Sequence, residues 1–349
     1  MLKDAIRFSY INAKIRSLKS RLLIPSDYEK LIKAQGYQGL VESLRLTSYG
    51  MKIDETLSSF DDLIHLYHIY LFETYTKIID SVSGNIKQLV NHLYQRYELE
   101  NLKVIIRTIC YGQQPEYARR LLFPVTKHAT LSADELLASK DMTELIEAVK
   151  GTWYYEPLEN SLYRFENEGE TFPLEMALDL SYYKHLWEIV SSLVRKDKKV
   201  ARTLLGIQLD ALNIIWIMRF KESYRFTPEE ILNYSLVNGK HISRKVRKRL
   251  AYSVGVNDVI VNLEGTPYKS FLQAMNDPEI GYIKLLQYVL SITRSNWSRY
   301  PFQIGTILDY IFFIEMEIKD LITITEGIRI GMSNDEVNKY IVHNVEITC

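Results

Sequence analysis

Apolar residues recur at intervals of three and four positions along extended parts of this chain. The stretch from Leu57 to Leu93 shows this spacing at Leu63, Leu66, Tyr67, Tyr70 and Leu71, and a second such stretch runs from Pro173 to Leu205. The spacing places apolar side chains on one face of an α-helix, whereas a half-buried strand would alternate at every second residue. Glycine (15) and proline (9), which interrupt helices, are sparse. The pattern therefore predicts an all-α protein.

One helical segment is repeated along the chain. Residues 97–107 align with residues 209–219, and each segment has an acidic residue three positions before an asparagine and an arginine six positions after it. The asparagines and arginines are Asn101, Asn213, Arg107 and Arg219. A shorter relative opens the chain at residues 12–16, and residues 317–321 form a partial copy with aspartate in place of asparagine. A residue that recurs in every repeat usually serves the repeat, so we interpret these residues as structural.

A short helix ending in Thr-x-Tyr follows three of the repeated segments. Its tyrosines are Tyr49, Tyr154 and Tyr268, and we interpret them as structural too. In two copies a glycine, Gly151 or Gly265, precedes the threonine. A glycine at this place predicts a helix that closes with a left-handed residue.

Pairs of a hydroxyl residue and a glutamate three positions later match the capping box that starts helices. The four pairs are Ser26/Glu29, Ser132/Glu135, Thr227/Glu230 and Ser333/Glu336, and we align them with one another. The third copy then needs 39 residues from Thr227 to Thr266, against 20 from Ser132 to Thr152. This difference indicates a basic insertion near residues 238–250.

The repeats predict three helical units, at residues 1–100, 101–208 and 209–349. The third unit contains the insertion and a partial closing repeat at residues 317–349. We expect this closing repeat to pack beside the first unit, so that removal of residues 319–349 would destabilise the N-terminal unit.

Charge and composition exclude several classes of protein. Lysine plus arginine and aspartate plus glutamate number 43 each, so the cationic excess of a nucleic-acid-binding protein is missing. The two cysteines, Cys110 and Cys349, do not form a disulfide framework and fit a reducing compartment. Neither of the two common glycine-rich phosphate-binding motifs occurs. We expect no catalytic residue, no cofactor and no transmembrane segment.

Several segments together resemble a known family. They are residues 10–23 (YINAKIRSLKSRLL), 27–31 (DYEKL), 100–107, 210–219 and 327–333 (GIRIGMS). Over essentially the whole chain they occur in the order seen in the C subunit of the bacterial and archaeal V-type (A-type) ATPases, the counterpart of the eukaryotic d subunit. The basic stretch in the third unit departs most from that pattern.

The resemblance implies a particular fold and role. The fold would be three similar helical domains about a pseudo-threefold axis, shaped as a funnel or socket. The protein would have no catalytic role and would turn with the rotor, joining the central stalk, with its D-type and F-type subunits, to the membrane proteolipid ring. It would be cytoplasmic and peripheral to the membrane. Whether the ion is H⁺ or Na⁺, and whether ATP is made or consumed, stays open.

Two local patterns suggest other functions. Asp61, His65 and His68 fall on one helical face, with Asp62 beside them, and would form a metal site if the protein were a helical metalloenzyme. The other interpretation of these residues is a solvated polar stripe. Residues 240–249 (KHISRKVRKR) form the strongest basic run and would contact an acidic partner or anionic lipid, or form a solvated face. A generic helical scaffold is a further alternative to the rotor subunit.

Overall fold

The computed structural model describes residues 2–125, 127–272, 278–296 and 302–343. Every regular element in these ranges is helical, which confirms the predicted all-α class. The helices are α1 (Leu2–Lys19), α2 (Pro25–Ile32), α3 (Gly36–Arg45), α4 (Phe60–Ile79), α5 (Gly84–Cys110), α6 (Pro115–Leu121), α7 (Ala133–Leu137), α8 (Met142–Ala148), α9 (Tyr155–Glu168), α10 (Phe172–Ser192), α11 (Arg195–Arg219), α12 (Pro228–Asn233), α13 (Arg244–Ala251), α14 (Val256–Val261), α15 (Lys269–Leu272), α16 (Pro278–Asn296), α17 (Gly305–Ile330) and α18 (Asn334–Lys339). A 3₁₀ turn spans Gly50–Lys52, and a π-helical turn, Phe220–Tyr224, extends α11.

The apolar spacing within α4 predicts its buried face correctly. The five apolar residues of this pattern, Leu63, Leu66, Tyr67, Tyr70 and Leu71, are all buried. The exposed residues of α4, by contrast, are polar, for example Asp61 at its start. Burial of such a stripe, rather than intrinsic helix propensity, provides most of the stability of a helix in a folded protein.

The chain packs as two compact units. We name the units by their place along the sequence. The outer unit contains Met1–Leu71 together with Val194–Cys349, and the middle unit contains Phe72–Leu193. The predicted division into three units at residues 1–100, 101–208 and 209–349 stays a prediction. Cys349 lies outside the described residues.

In the outer unit, α17 is the central helix. It packs against α1, α2 and α3 from the start of the chain and against α11, α16 and α18 from its second half. Most of its residues are buried, including the polar residues Asp309, Glu317 and Asp320. The first fifty residues therefore depend on a helix near the other end of the chain for their core.

In the middle unit, α5 lies against α10 and against the short helices α6, α7 and α8. Lys103 of α5 forms an ion pair of 2.5 Å with Asp179 of α10, and Arg107 pairs with Glu175 at 2.5 Å. His92 of α5 stacks on Tyr182 of α10 with 4.4 Å between ring centroids. These contacts hold α10 along much of the length of α5.

Within the described ranges, one helical stretch, Arg195–Tyr224, is long and apolar enough to cross a membrane by length and composition. Of its most apolar window, 67% is buried inside the fold. A core helix of a globular protein satisfies the same criteria, and α11 contacts α16 and α17 in the outer unit.

The structure confirms two of the four predicted capping boxes in full. In Thr227/Glu230 and Ser333/Glu336 the hydroxyl accepts from the backbone N–H of the glutamate. The glutamate carboxylate in turn accepts from the backbone N–H of the hydroxyl residue. Ser132 makes only the first of these bonds. The box at Ser26 is wrong, because Pro25 already occupies the first helical turn of α2. Proline favours that position, since its fixed φ suits a helix and its missing N–H is not needed there.

Candidate functional site

The repeated acid and the repeated tyrosine meet in a buried contact, which we call the acid–tyrosine cluster. In the middle unit it is formed by Glu98 of α5, Thr130, Leu131 and Tyr154. Glu98 accepts hydrogen bonds from the Thr130 N–H at 2.7 Å, from the Thr130 hydroxyl, from the Leu131 N–H and from the Tyr154 hydroxyl at 3.2 Å. One carboxylate thus joins α5 to two segments that follow it in sequence.

A second acid–tyrosine cluster in the outer unit is formed by Asp210 of α11. Its carboxylate accepts from the N–H of His241 at 2.6 Å, from the N–H of Ile242 at 3.0 Å and from the hydroxyl of Tyr268 at 2.8 Å. Because aspartate is one methylene shorter than glutamate, the loop that carries His241 and Ile242 must come closer to the helix. It approaches α11 closely enough for the Lys240 N–H to donate to the Gly206 carbonyl at 3.1 Å. A glycine, Gly239, lies directly against the carboxylate.

The third acid–tyrosine cluster joins the two ends of the chain. Glu317 of α17 accepts from the Leu23 N–H at 2.7 Å and from the Tyr49 hydroxyl at 2.7 Å. The expectation that the closing repeat packs beside the first unit is therefore confirmed for the described residues. The long helix of the first copy is α17, not the helix around Asn12 that the sequence alignment indicates.

Burial raises the pKa of all three carboxyl groups, and the hydrogen bonds that they accept oppose that rise. Glu317 accepts from only two donors, so the hydrogen bonds that favour its charged form are the fewest of the three. Burial raises the pKa of Glu317 to about 8, and the nearby acids Asp320 and Asp27 add to the rise. Glu317 is therefore largely protonated at neutral pH.

The residue three positions after each acid makes a second repeated contact. The Asn101 side chain accepts from the Phe123 N–H at 2.7 Å and donates to its carbonyl at 2.9 Å. Asn213 binds Leu236 in the same way, at 2.8 and 2.9 Å. Asp320 cannot donate, and it accepts instead from the N–H groups of Val342 and His343 and bonds to the His343 ring. The structural interpretation of both asparagines is confirmed.

These bonds establish which helices of the three copies correspond. The asparagine or aspartate binds backbone 22 or 23 residues further on, just past α6, α12 and α18. The acid binds N–H groups just before α7, α13 and α2. The first copy therefore consists of α17, α18, α2 and α3, the second of α5 to α8, and the third of α11 to α14.

This register corrects the alignment of the capping boxes. Ser132 starts α7 whereas Thr227 starts α12, so the 39-residue spacing compares different helices. The counterpart of Ser132 is Ser243, which caps α13. Acid and tyrosine are 56 residues apart in the second copy and 58 in the third. The spacing thus gives no reason to place a basic insertion near residues 238–250, because every copy has a helix at that place.

The Thr-x-Tyr segment closes its helix as the sequence predicts. Gly151 and Gly265 have positive φ angles of 83° and 79°. The Thr152 hydroxyl donates to the Val149 carbonyl at 2.6 Å and accepts from the Tyr154 N–H at 3.2 Å. The turn directs the tyrosine back to the long helix, where its ring is fully buried.

The repeated arginines, by contrast, have different surroundings. Arg107 makes two hydrogen bonds to Glu175, at 2.8 and 2.5 Å. Arg219 is exposed and has no ion pair with any described residue. The structural interpretation of the arginines is therefore supported for Arg107 alone.

The proposed metal ligands on α4 are used in other ways. Asp61 forms an ion pair of 2.6 Å with Arg329 of α17, and Asp62 accepts from the N–H groups of Ser58 and Ser59. Burial lowers the pKa of His68 to about 4. In the part of the chain that the structure describes, no three His, Cys, Asp or Glu side chains form a group that could hold a metal ion. The geometry gives no support to the metalloenzyme alternative.

Loss of one cluster donor gives a measurable test. Tyr268→Phe is expected to lower the free energy of unfolding by about 1.5–3 kcal/mol, because Asp210 loses a donor while the ring still fills its space. Urea unfolding would measure the change. Tyr252→Phe is the matched control, since its hydroxyl donates to Glu229 at the surface and should matter by less than about 0.5 kcal/mol. Equal effects of the two substitutions would contradict a structural role for the cluster.

Comparison with known proteins identifies the family to which the chain belongs. The C subunit of the A-type ATP synthase of Methanocaldococcus jannaschii is 25% identical over 98% of this chain and 88% of its own length. The C subunits of the A-type ATP synthases of Methanosarcina mazei and Archaeoglobus fulgidus are each 26% identical, over 97% and 96% of this chain and 94% and 96% of their own lengths. Residues 11–340 match the family model described as "ATP synthase (C/AC39) subunit". The chain therefore belongs to the ATP synthase C/AC39 subunit family.

Proposed function

We propose that this chain is a rotor subunit, without catalytic activity of its own, of a V/A-type rotary ATPase. It would couple the central stalk, with its D-type and F-type subunits, to the membrane proteolipid ring. The observation that carries this proposal is the family match over residues 11–340, together with relatives that are named as C subunits of A-type ATP synthases. Torque would pass through it during ATP-linked H⁺ or Na⁺ transport.

The repeated clusters support a three-part arrangement. Each copy joins one long helix to two segments distant in sequence, and the first copy is completed by α17 from the end of the chain. We propose that the three copies lie about a pseudo-threefold axis and form a funnel or socket. A closed ring of this kind suits a part that receives a stalk on one side and rests on a ring on the other.

The same contacts suit the transmission of torque. A coupling subunit must resist twisting, and close-packed helices provide stiffness because their interiors deform little. The acid–tyrosine clusters and the asparagine contacts add buried, fully paired polar links between helices and loops. We place the protein at the cytoplasmic face of the membrane, held there by its partners.

Removal of the chain from its complex tests the proposal. The membrane-detached catalytic head is expected to keep hydrolysing ATP, while ATP-driven ion transport and attachment of the head to the membrane are lost. ATPase activity in the soluble fraction and dye-monitored ion transport in membrane vesicles would measure both. Re-addition of the wild-type chain should restore transport. Ion transport that persists without the chain would refute the coupling role and favour a helical scaffold.

A further inference from the structure

The third copy differs from the other two in the charge of one helix. In eight residues α13 has five bases: Arg244, Lys245, Arg247, Lys248 and Arg249. The corresponding helix α2 has Asp27, Glu29 and a single base, Lys30, and α7 has Asp134 and Glu135. Because the same packing forms with acidic helices, the repeat does not require the positive charge of α13.

Two of the five bases bind carbonyl groups within the fold. Arg249 donates to the carbonyls of Asn262 and Glu264, both at 2.8 Å, and so satisfies acceptors at the end of α14. Arg247 is half-buried and donates to the Leu236 carbonyl at 2.7 Å. These two side chains have a structural use.

The other three bases form an exposed row. Arg244 and Lys248 are four positions apart and Lys245 lies beside them, so all three project from one side of the helix. Neither Arg244 nor Lys245 makes a hydrogen bond or ion pair with any described residue. Like charges at this spacing repel, and positive charge at the start of a helix opposes the helix dipole. Glu229 attracts Lys248, but neither Arg244 nor Lys245 is paired with a described acid, so a bound anionic partner would relieve the remaining repulsion.

Exposed apolar side chains follow the three bases in sequence. Lys248 lies 5.6 Å from the centre of the Tyr252 ring, one turn further along. Val254, two residues later, is 96% exposed and is among the most exposed apolar residues of the described chain. Tyrosine and arginine around an apolar centre are typical of the surfaces through which proteins bind one another.

We propose that Arg244, Lys245, Lys248, Tyr252 and Val254 form a docking surface for an acidic segment of a protein partner. Arginine pairs with carboxylates through two parallel hydrogen bonds, lysine adds charge, and the two apolar residues give a dry centre. A protein is the expected occupant because the relatives are named as subunits, and a subunit meets protein surfaces. The inference rests on the proposed function only in that the chain acts inside an assembly.

A charge-reversal variant tests the surface. Fluorescence anisotropy with a labelled oligoglutamate peptide would compare the wild type, R244E/K245E/K248E and the control K30E/K33E/K339E. The control reverses three exposed lysines: Lys30 on α2, Lys33 directly after it and Lys339 at the end of α18. We expect the wild type and the control to bind alike, and to lose about tenfold in affinity between about 50 and 300 mM NaCl. The reversal variant should bind at least about tenfold more weakly at the lower salt concentration.

Two results would overturn the inference. One is equal binding of the peptide by all three proteins. The other is that the wild type binds vesicles containing phosphatidylglycerol but binds neither the peptide nor phosphatidylcholine vesicles. That result would make the surface a contact for anionic lipid. Circular dichroism of each variant would confirm that it is folded.

The assembled complex separates this inference from the proposed function. If deletion of the chain leaves ion transport intact, the coupling role fails, whatever the variants do. If deletion abolishes transport, salt washing of membranes with the reversal variant should release that variant about tenfold more readily than the wild type or the control. Release at the wild-type rate would overturn the docking surface alone.

Discussion

Replacement of Gly239 by alanine is expected to lower the free energy of unfolding by about 3–5 kcal/mol. The new Cβ atom would overlap the Oδ1 atom of Asp210, so either the carboxylate or the loop must move. Either movement leaves the N–H groups of His241 and Ile242 and the Tyr268 hydroxyl without their buried acceptor. Urea unfolding followed by circular dichroism would measure the loss.

Gly255→Ala is the matched control for this substitution. Gly255 lies in the same copy with φ of −162°, and a Cβ atom there meets nothing within 4 Å. The cost should be about 1 kcal/mol, because Gly255 is the N-cap of α14 and alanine is less favourable than glycine at that position. If the two alanine variants had equal stability, the close approach of the loop to Asp210 would not matter and the account of the Asp210 cluster would be wrong.

The sequence predicts the components of the clusters but not their meeting. Glu98 and Asp210 recur three positions before an asparagine, and each copy ends in Thr-x-Tyr, so their repetition is visible. The hydrogen bond between the acid and the tyrosine joins residues that are 56 positions apart in the second copy. No local sequence pattern encodes such a contact. Tertiary packing decides such a contact.

The capping boxes show why the register is harder to predict than the repeats. A hydroxyl residue followed by glutamate reports only that a helix starts, and each copy starts several helices. Ser132 and Thr227 satisfy the same local rule at the starts of two different helices. Only the long-range hydrogen bonds of Asn101 and Asn213 distinguish these helices.

The face of α4 that carries Asp61 and His68 gives a similar lesson. Helical spacing predicts that these side chains lie near each other. Their roles depend instead on what packs against the helix: Arg329 of α17 pairs with Asp61, and burial lowers the pKa of His68. Helical spacing indicates which side chains can lie close together. The contact that Asp61 makes is determined by Arg329, which comes from the other end of the chain.

Glu317 gives the fold of the outer unit a dependence on pH. Its pKa is about 8 in the folded protein, against 4.5 for an ordinary glutamate, so folding takes up a proton between these values. The unfolded chain then binds fewer protons than the folded one, and stability falls as pH rises. The contribution is fully present below about pH 4.5 and is lost as pH rises through about 8. Over that window it amounts to at most about 5 kcal/mol.

Glu317→Gln is expected to remove this dependence. The amide is neutral at every pH, its oxygen can accept from the Leu23 N–H, and its NH₂ can donate to the Tyr49 hydroxyl. The variant should therefore gain on the wild type by about 1.4 kcal/mol per pH unit between about pH 5 and 8, measured by urea unfolding at a series of pH values.

A comparison within the chain separates the titration of Glu317 from general damage by an amide. Glu98→Gln faces four donors with one acceptor oxygen, so it should destabilise the middle unit by about 1–3 kcal/mol at neutral pH. Histidines 68 and 92, with pKa values lowered to about 4 by burial, titrate in the opposite direction, and they do so equally in the wild type and both variants. The difference between the Glu317→Gln and wild-type curves therefore isolates one carboxyl group. If those two curves ran parallel, Glu317 would be charged in the fold, and the link between α17 and the first fifty residues would be an ordinary anionic contact.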